Sequence, residues 1–347
     1  MSDVPATTCV KRKWGRLAGL IAAGVGLIIG GYLTFFWSDV SAKRTVHRLH
    51  SASTDEERTT QARRLVALGN AGTPYLIEEW KVGAPASCQA LGLAVAEHLA
   101  PMPPTDARFN ALCRSIMAAA AQFSPAGQEA ALELVPVFLT CPQADFLPRC
   151  RELVKAGLTL PTTEARVRAV RLAMRPDMEM RGEIVSVLGD PEAEVRRAAM
   201  LAVGPHDDQT PVVIADDELF RYLHDPDWDV RQMCETALTT RGLEPEQIAC
   251  ARLLTHPDAS ERLRLLVTLM HSRQTIRDPG PWLERLSRDS EPAVRAGAAR
   301  VACDCRLAFT TWVDRLAKTD PDATVRQIAG FHRNRASDIR EASFQER

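Results

Sequence analysis

Aromatic residues make up only 5% of the chain, and its charged side chains nearly cancel, to a formal net charge of −1. Few aromatics weigh against a sheet-rich fold, because strands favour β-branched and ring-bearing side chains. The neutral balance removes the basic field that nucleic-acid binding draws on. The nine cysteines include no C-x-x-C pair, and no His–Cys cluster has zinc-ligand spacing. G-x-S-x-G, G-x-x-x-x-G-K-[ST], H-E-x-x-H and a dinucleotide fingerprint after a strand are also missing. The chain is therefore read as non-catalytic, with no cofactor, no metal and no nucleic-acid partner.

Ala, Leu, Val and Arg recur instead, a mixture suited to closely packed helices. The 347 residues suffice for one extended array or two ordinary domains.

One long apolar run stands near the front. Residues 1–16 form a short basic segment, and Leu17 to Trp37 then carry no charge. As a helix that run reaches about 31 Å, enough to cross a hydrocarbon core of roughly 30 Å. Trp14 flanks one end, while Tyr32, Phe35, Phe36 and Trp37 gather at the other, as interfacial aromatics do. The reading is one transmembrane helix at 17–37, followed by a juxtamembrane linker at 38–49. A cleaved signal peptide competes with it, since Val40-Ser41-Ala42 is an acceptable cleavage site, but its apolar region would run only about 7–15 residues. Lys11, Arg12, Lys13 and Arg16 outweigh Lys43, Arg44 and Arg48, which places the N-terminus in the cytoplasm and the large domain outside it. Ala22, Gly26 and Gly30 fall four apart, as do Gly15, Gly19 and Ala23. That spacing permits a homodimer through the membrane helix, although glycine is also simply common in such helices.

Beyond the linker one phrase is written several times: GDPEAEVRRAAML at 189–201, HDPDWDVRQMCETAL at 224–238 and TDPDATVRQIAGF at 319–331. Aligned on an apolar–Arg pair, the series runs Val167-Arg168, Val195-Arg196, Val230-Arg231, Leu263-Arg264, Val294-Arg295 and Val325-Arg326. Steps of roughly thirty residues mark a stacked helical repeat. Asp190, Asp225 and Asp320 each precede a Pro, which reads as a helix cap followed by the first helical position. His256-Pro257 and Asp289-Ser290 occupy that place in looser copies. Acidic residues then meet the positive end of the helix dipole, among them Glu192, Glu194, Asp227, Asp229 and Asp322. Val195, Ala198, Ala199 and Ala202 share one helical face, as do Val230, Met233, Cys234 and Ala237. A short amphipathic stretch precedes each such helix, at 183–189, 218–224, 281–287 and 310–318. Each unit is thus expected to be two antiparallel helices.

The pattern D-P-x-x-x-V-R-x-x-A resembles HEAT repeats, most closely the short variety of the bilin lyase of phycobilisomes. The resemblance covers 160–332 well. It is weaker at 50–80, where Arg58, Leu65, Leu68 and Gly69 fall in plausible places, and 83–150 lacks the Arg. It implies an all-α fold, an α-solenoid of stacked antiparallel helix pairs, with degenerate repeats at 50–159, HEAT-like repeats at 160–332 and a polar tail at 333–347 that frays. The Arg stands six residues beyond the Asp, about 240° round a helix, and so faces its own cap poorly. The resemblance implies instead a ladder toward carboxylates or carbonyls of a neighbouring repeat. The structural caps and ladder residues are then Asp190, Arg196, Asp225, Arg231, Arg264, Asp289, Arg295, Asp320 and Arg326. Second helices of such arrays line the concave side, which makes Arg197, Gln232 and Gln327 candidate partner contacts.

Cys141 and Cys150 flank the turn-like PQADFLPR and are the first choice for a disulfide in an oxidising compartment, whereas Cys88 and Cys234 read as free buried thiols. The loop at 204–218 collects Asp207, Asp208, Asp216, Asp217 and Glu218 but matches no EF-hand, and Asp216-Asp217 more simply begin the next helix. The function expected is a membrane-tethered scaffold that mediates protein–protein interaction. The alternative is a structural or assembly subunit of a larger membrane complex. A bilin-lyase-like enzyme is remote, because only fold-level analogy supports it.

Overall fold

The computed structural model describes residues 37–141, 146–204, 212–271, 278–305, 307 and 311–345. The expected membrane span at 17–37 lies outside these residues, apart from an exposed Trp37. Among the described residues no helix is long and apolar enough to cross a membrane. The described chain is all-helical, without a strand, and divides into two compact units after Met180. The division expected at 159/160 falls inside the first unit, where the helix following that point packs on the one preceding it.

In the first unit the helices are α1 (37–51), α2 (Asp55–Ala67), α3 (Thr73–Val82), α4 (Pro85–Leu99), α5 (Ala107–Ala119), α6 (Pro125–Leu132), α7 (Val135–Phe138), α8 (Phe146–Gly157) and α9 (Thr163–Ala173). Short polar side chains start several of them. Thr54 accepts from the Glu57 N–H, Asp106 from Arg108, and Ser124 from Gly127 ahead of Pro125. The packing order is α2 on α4, α4 on α6, α6 on α8 and α8 on α9. Trp80 is fully buried, donates its Nε1 hydrogen to the Cys88 carbonyl at 3.1 Å, and meets Phe123 edge-on at 5.3 Å. A side chain at Gly127 would place its Cβ 2.1 Å from the Trp80 carbonyl oxygen, so only glycine fits there.

The second unit comprises α10 (Arg181–Ile184), α11 (Ala193–Val203), α12 (Asp216–Leu219), α13 (Trp228–Thr240), α14 (Pro245–Leu254), α15 (Ala259–His271), α16 (Gly280–Leu286), α17 (Pro292–Asp304), α18 (Thr311–Thr319) and α19 (Ala323–Gln345). A short helix precedes each long one, and both α10 and α12 tighten into 3-10 turns, Val185–Gly189 and Phe220–His224. Val195, Ala199, Val230, Cys234, Val294 and Ala298 are all buried, as their helical spacing requires. Long helices pack in series, α11 on α13, α15 on α17 and α17 on α19. The pair α13 and α15 lacks that close backbone approach; α14 touches α13, the 3-10 turn before it, and α15. The polar segment expected to fray from 333 is helical to Gln345, because α19 continues across that point without a break.

Candidate functional site

The Asp-Pro turns are built differently from the expected caps. α11 and α13 begin at Ala193 and Trp228, so Asp190 and Asp225 stand outside the helices and close the preceding 3-10 turns. One carboxylate oxygen of each Asp accepts the N–H two residues on: Asp190 from Glu192, Asp225 from Asp227, Asp289 from Glu291 and Asp320 from Asp322. Helix capping falls to a later residue. Asp227 accepts from Val230 N–H, and Asp322 from Thr324 and Val325. The Pro likewise belongs to the turn rather than to the first helical position.

With those residues turned rather than helical, the 240° estimate fails and each Arg reaches its own turn. Arg196 donates from Nη1 to the carbonyls of Asp190 and Pro191, at 2.8 and 2.9 Å. Arg231, Arg295 and Arg326 make the same pair of contacts. The opposite edge of the guanidinium then reaches the next repeat. Arg196 Nε and Nη2 grip Asp225 at 2.8 Å each, and Arg295 grips Asp320 with the same distances. These pairs are buried, and the fork-on-fork geometry is the strongest an ion pair adopts. Asp225 and Asp320 thus each shape their own turn and anchor the preceding repeat.

The ladder position in the fourth copy is Arg262, not Arg264. Arg262 donates to the carbonyls of His256 and Pro257 and grips Asp289 at 2.7 and 2.9 Å. Arg264 is mostly exposed and, among the described residues, pairs only with Glu261, one turn back. Arg166, rather than Arg168, makes the corresponding turn contacts in the first unit, to the carbonyls of Leu160 and Pro161; Arg168 pairs with Glu133. Arg58 reaches the Ala52 carbonyl across the same interval. Counting six residues forward from each turn, instead of aligning on apolar–Arg pairs, finds all of these positions. In the segment that lacks the Arg, Asn110 takes over the contact and donates to the Pro104 carbonyl.

The side-chain hydrogen bonds to Asp225, Asp289 and Asp320 raise the pKa of Arg196, Arg262 and Arg295, against the opposing effect of burial. Arg295 in turn holds the Asp320 carboxyl below its ordinary 3.8. A depressed carboxylate stabilises the fold fully above the unfolded value and loses that contribution as pH falls through the folded one. Acid titration of Asp320→Asn should therefore lack part of the stability loss that the native protein shows below about pH 4, measured by circular dichroism. An identical slope in both proteins would refute this.

Of the candidate contacts, Gln232 and Gln327 are exposed on their helices. Arg197 is engaged within the array, its guanidinium lying 3.4 Å from Asp227 and 3.1 Å from Asp229. Arg241, missed in the sequence, has a buried side chain that donates to the carbonyls of Val203, Gly204 and Ile214 and to Asp216. Asp216 does begin a helix. Asp207 and Asp208 of the same acidic loop lie outside the described residues.

The cysteines from Cys88 to Cys305 are free thiols. Cys141 neighbours Cys113 as well as Cys150, and Cys113 is the thiol it hydrogen-bonds. Burial pushes the Cys150 and Cys234 thiols up to about 12, and Cys88 and Cys250 to about 11. These four should resist iodoacetamide at pH 8 until the protein is unfolded, as read by peptide mass spectrometry. Rapid native labelling of Cys234 would contradict its burial.

No family model matches the chain, and no curated protein matches it. Among solved structures it is similar to an engineered protein, at 16% identity over 86% of this chain and 99% of that one, with a TM-score of 0.27. A likeness at that level carries no argument about fold or function.

Proposed function

We propose that the chain is a membrane-tethered scaffold: an α-solenoid of HEAT-like helix pairs, anchored through residues 17–37, that docks a protein partner on its repeats and catalyses no reaction. The observation that carries this reading is the arginine–turn–aspartate contact repeated at Arg196, Arg262 and Arg295. Such a contact joins successive helix pairs into one continuous surface, which is what repeat arrays offer to partners. The apolar run at 17–37 supports the tether, and the basic residues before it support a cytoplasmic N-terminus with the repeats outside. Small residues four apart in that run support a homodimer within the bilayer.

A second reading, a permanent subunit of a membrane complex, gains from one feature. Leu201, Val267 and Phe331 each lie five residues beyond a ladder arginine, and each is more than half exposed. Apolar side chains recurring at one register position suit an obligate interface, which is more hydrophobic than a transient one.

Affinity purification of the tagged full-length chain from membranes in mild detergent tests both. A stoichiometric partner that is lost when residues 181–347 are deleted supports docking on the array. Retention through high salt favours the permanent subunit, since apolar burial is not screened. Recovery of no partner at either low or moderate salt would remove the scaffold reading.

A further inference from the structure

We propose that Arg231 is a docking site for a carboxylate supplied by a protein partner, an Asp or Glu side chain that completes a rung the chain leaves open. The inference rests on the scaffold reading and names the chemistry of the contact. Within the second unit three guanidinium forks show what this position binds. Arg196, Arg262 and Arg295 each hold an aspartate from the following repeat through Nε and Nη2, at 2.7–2.9 Å. Arg231 is oriented by the same turn contacts. Its Nη1 donates to the Asp225 carbonyl at 2.6 Å and to the Pro226 carbonyl at 3.1 Å, which presets the plane of the group.

The next repeat, however, carries His256 where the other turns of the second unit, at 190, 225, 289 and 320, carry aspartate. His256 Nδ1 accepts the Asp258 N–H at 3.1 Å, and so performs the turn-forming half of the aspartate's work. It supplies no acid. Among the described residues no carboxylate pairs with the fork of Arg231. The acids closest to it along the chain are already engaged: Asp225 by Arg196, Asp227 and Asp229 by Arg197, and Glu235 by Arg252. Arg231 is half-buried, and α13 lacks here the close approach of the next long helix that α11 makes to α13 and α15 makes to α17. A half-buried guanidinium held in register, with no carboxylate on its fork among the described residues, matches a planar carboxylate bidentately.

The test uses the full-length protein in detergent and a dye-labelled peptide of alternating Asp and Gly, read by fluorescence anisotropy. Binding is expected, weakening with salt, and lost when the peptide's Asp residues become Asn. Arg231→Ala should weaken it by about tenfold or more, whereas Arg264→Ala leaves it unchanged. His256→Asp should weaken binding as far as Arg231→Ala does, while raising Tm, because the rung is then filled from within the chain. That variant keeps the test decisive if Arg231→Ala folds poorly. The proposal fails if the acidic peptide does not bind, or if His256→Asp binds it as the native protein does. A membrane partner still captured by Arg231→Ala would overturn this site and leave the scaffold reading standing. Capture of no partner by the native protein would remove the scaffold reading itself.

Discussion

Arg295→Ala lowers the stability of the second unit by about 3–5 kcal/mol, seen as a fall in the urea midpoint at unchanged slope. The size follows from what the substitution strands. The Asp320 side chain is only 2% exposed, so losing its partner leaves a buried, uncompensated charge. The carbonyls of Asp289 and Ser290 lose their shared donor as well. Replacing both members of the pair, Arg295→Met with Asp320→Asn, keeps an acceptor for the Asp322 N–H and should recover part of the loss, since much of the cost lies in the orphaned charge. Arg264→Ala, on the exposed side of its helix, should change stability by no more than about 0.5 kcal/mol. Equal losses at Arg295 and Arg264 would show that the ladder does not hold the repeats together.

The second large effect is expected at Arg241. Its side chain is 4% exposed and satisfies the last carbonyls of α11, at Val203 and Gly204, together with Ile214 and Asp216 at the entry to α12. Those helix-end acceptors have no intrahelical donor, so Arg241→Ala leaves several of them unpaired in the interior. A loss of about 3–5 kcal/mol is expected, with faster amide hydrogen exchange in α11 and α13. Arg241→Lys restores the charge but not the planar fork, and should recover less than half. A lysine variant as stable as the native protein would mean that charge alone suffices and that the geometry is incidental.

Helical periodicity made the fold class readable because it depends only on local spacing: Val195, Ala199 and Ala202 lie on one face whatever surrounds them. The roles of the recurring Asp and Arg were harder to read. The same aspartate that suits a helix cap also suits a turn two residues earlier, and only the backbone distinguishes Asp225 from Asp227. An alignment on apolar–Arg pairs chose Arg264 because Leu263 precedes it, whereas the turn at His256 sets the register on Arg262. Arg241 carries no motif at all. Its acceptors lie 25 to 38 residues away, so nothing near it in the chain marks it.

The amino-acid order therefore settles what is local: which of the described segments are helical, and where small residues permit close packing. Tertiary structure decides what depends on two distant segments meeting. Packing brings Arg196 to Asp225 and Arg295 to Asp320, while the turn that follows the helix of Arg231 by a similar interval carries His256 instead of an aspartate. A bidentate pair tolerates little displacement, so a position two residues off in sequence makes no rung at all.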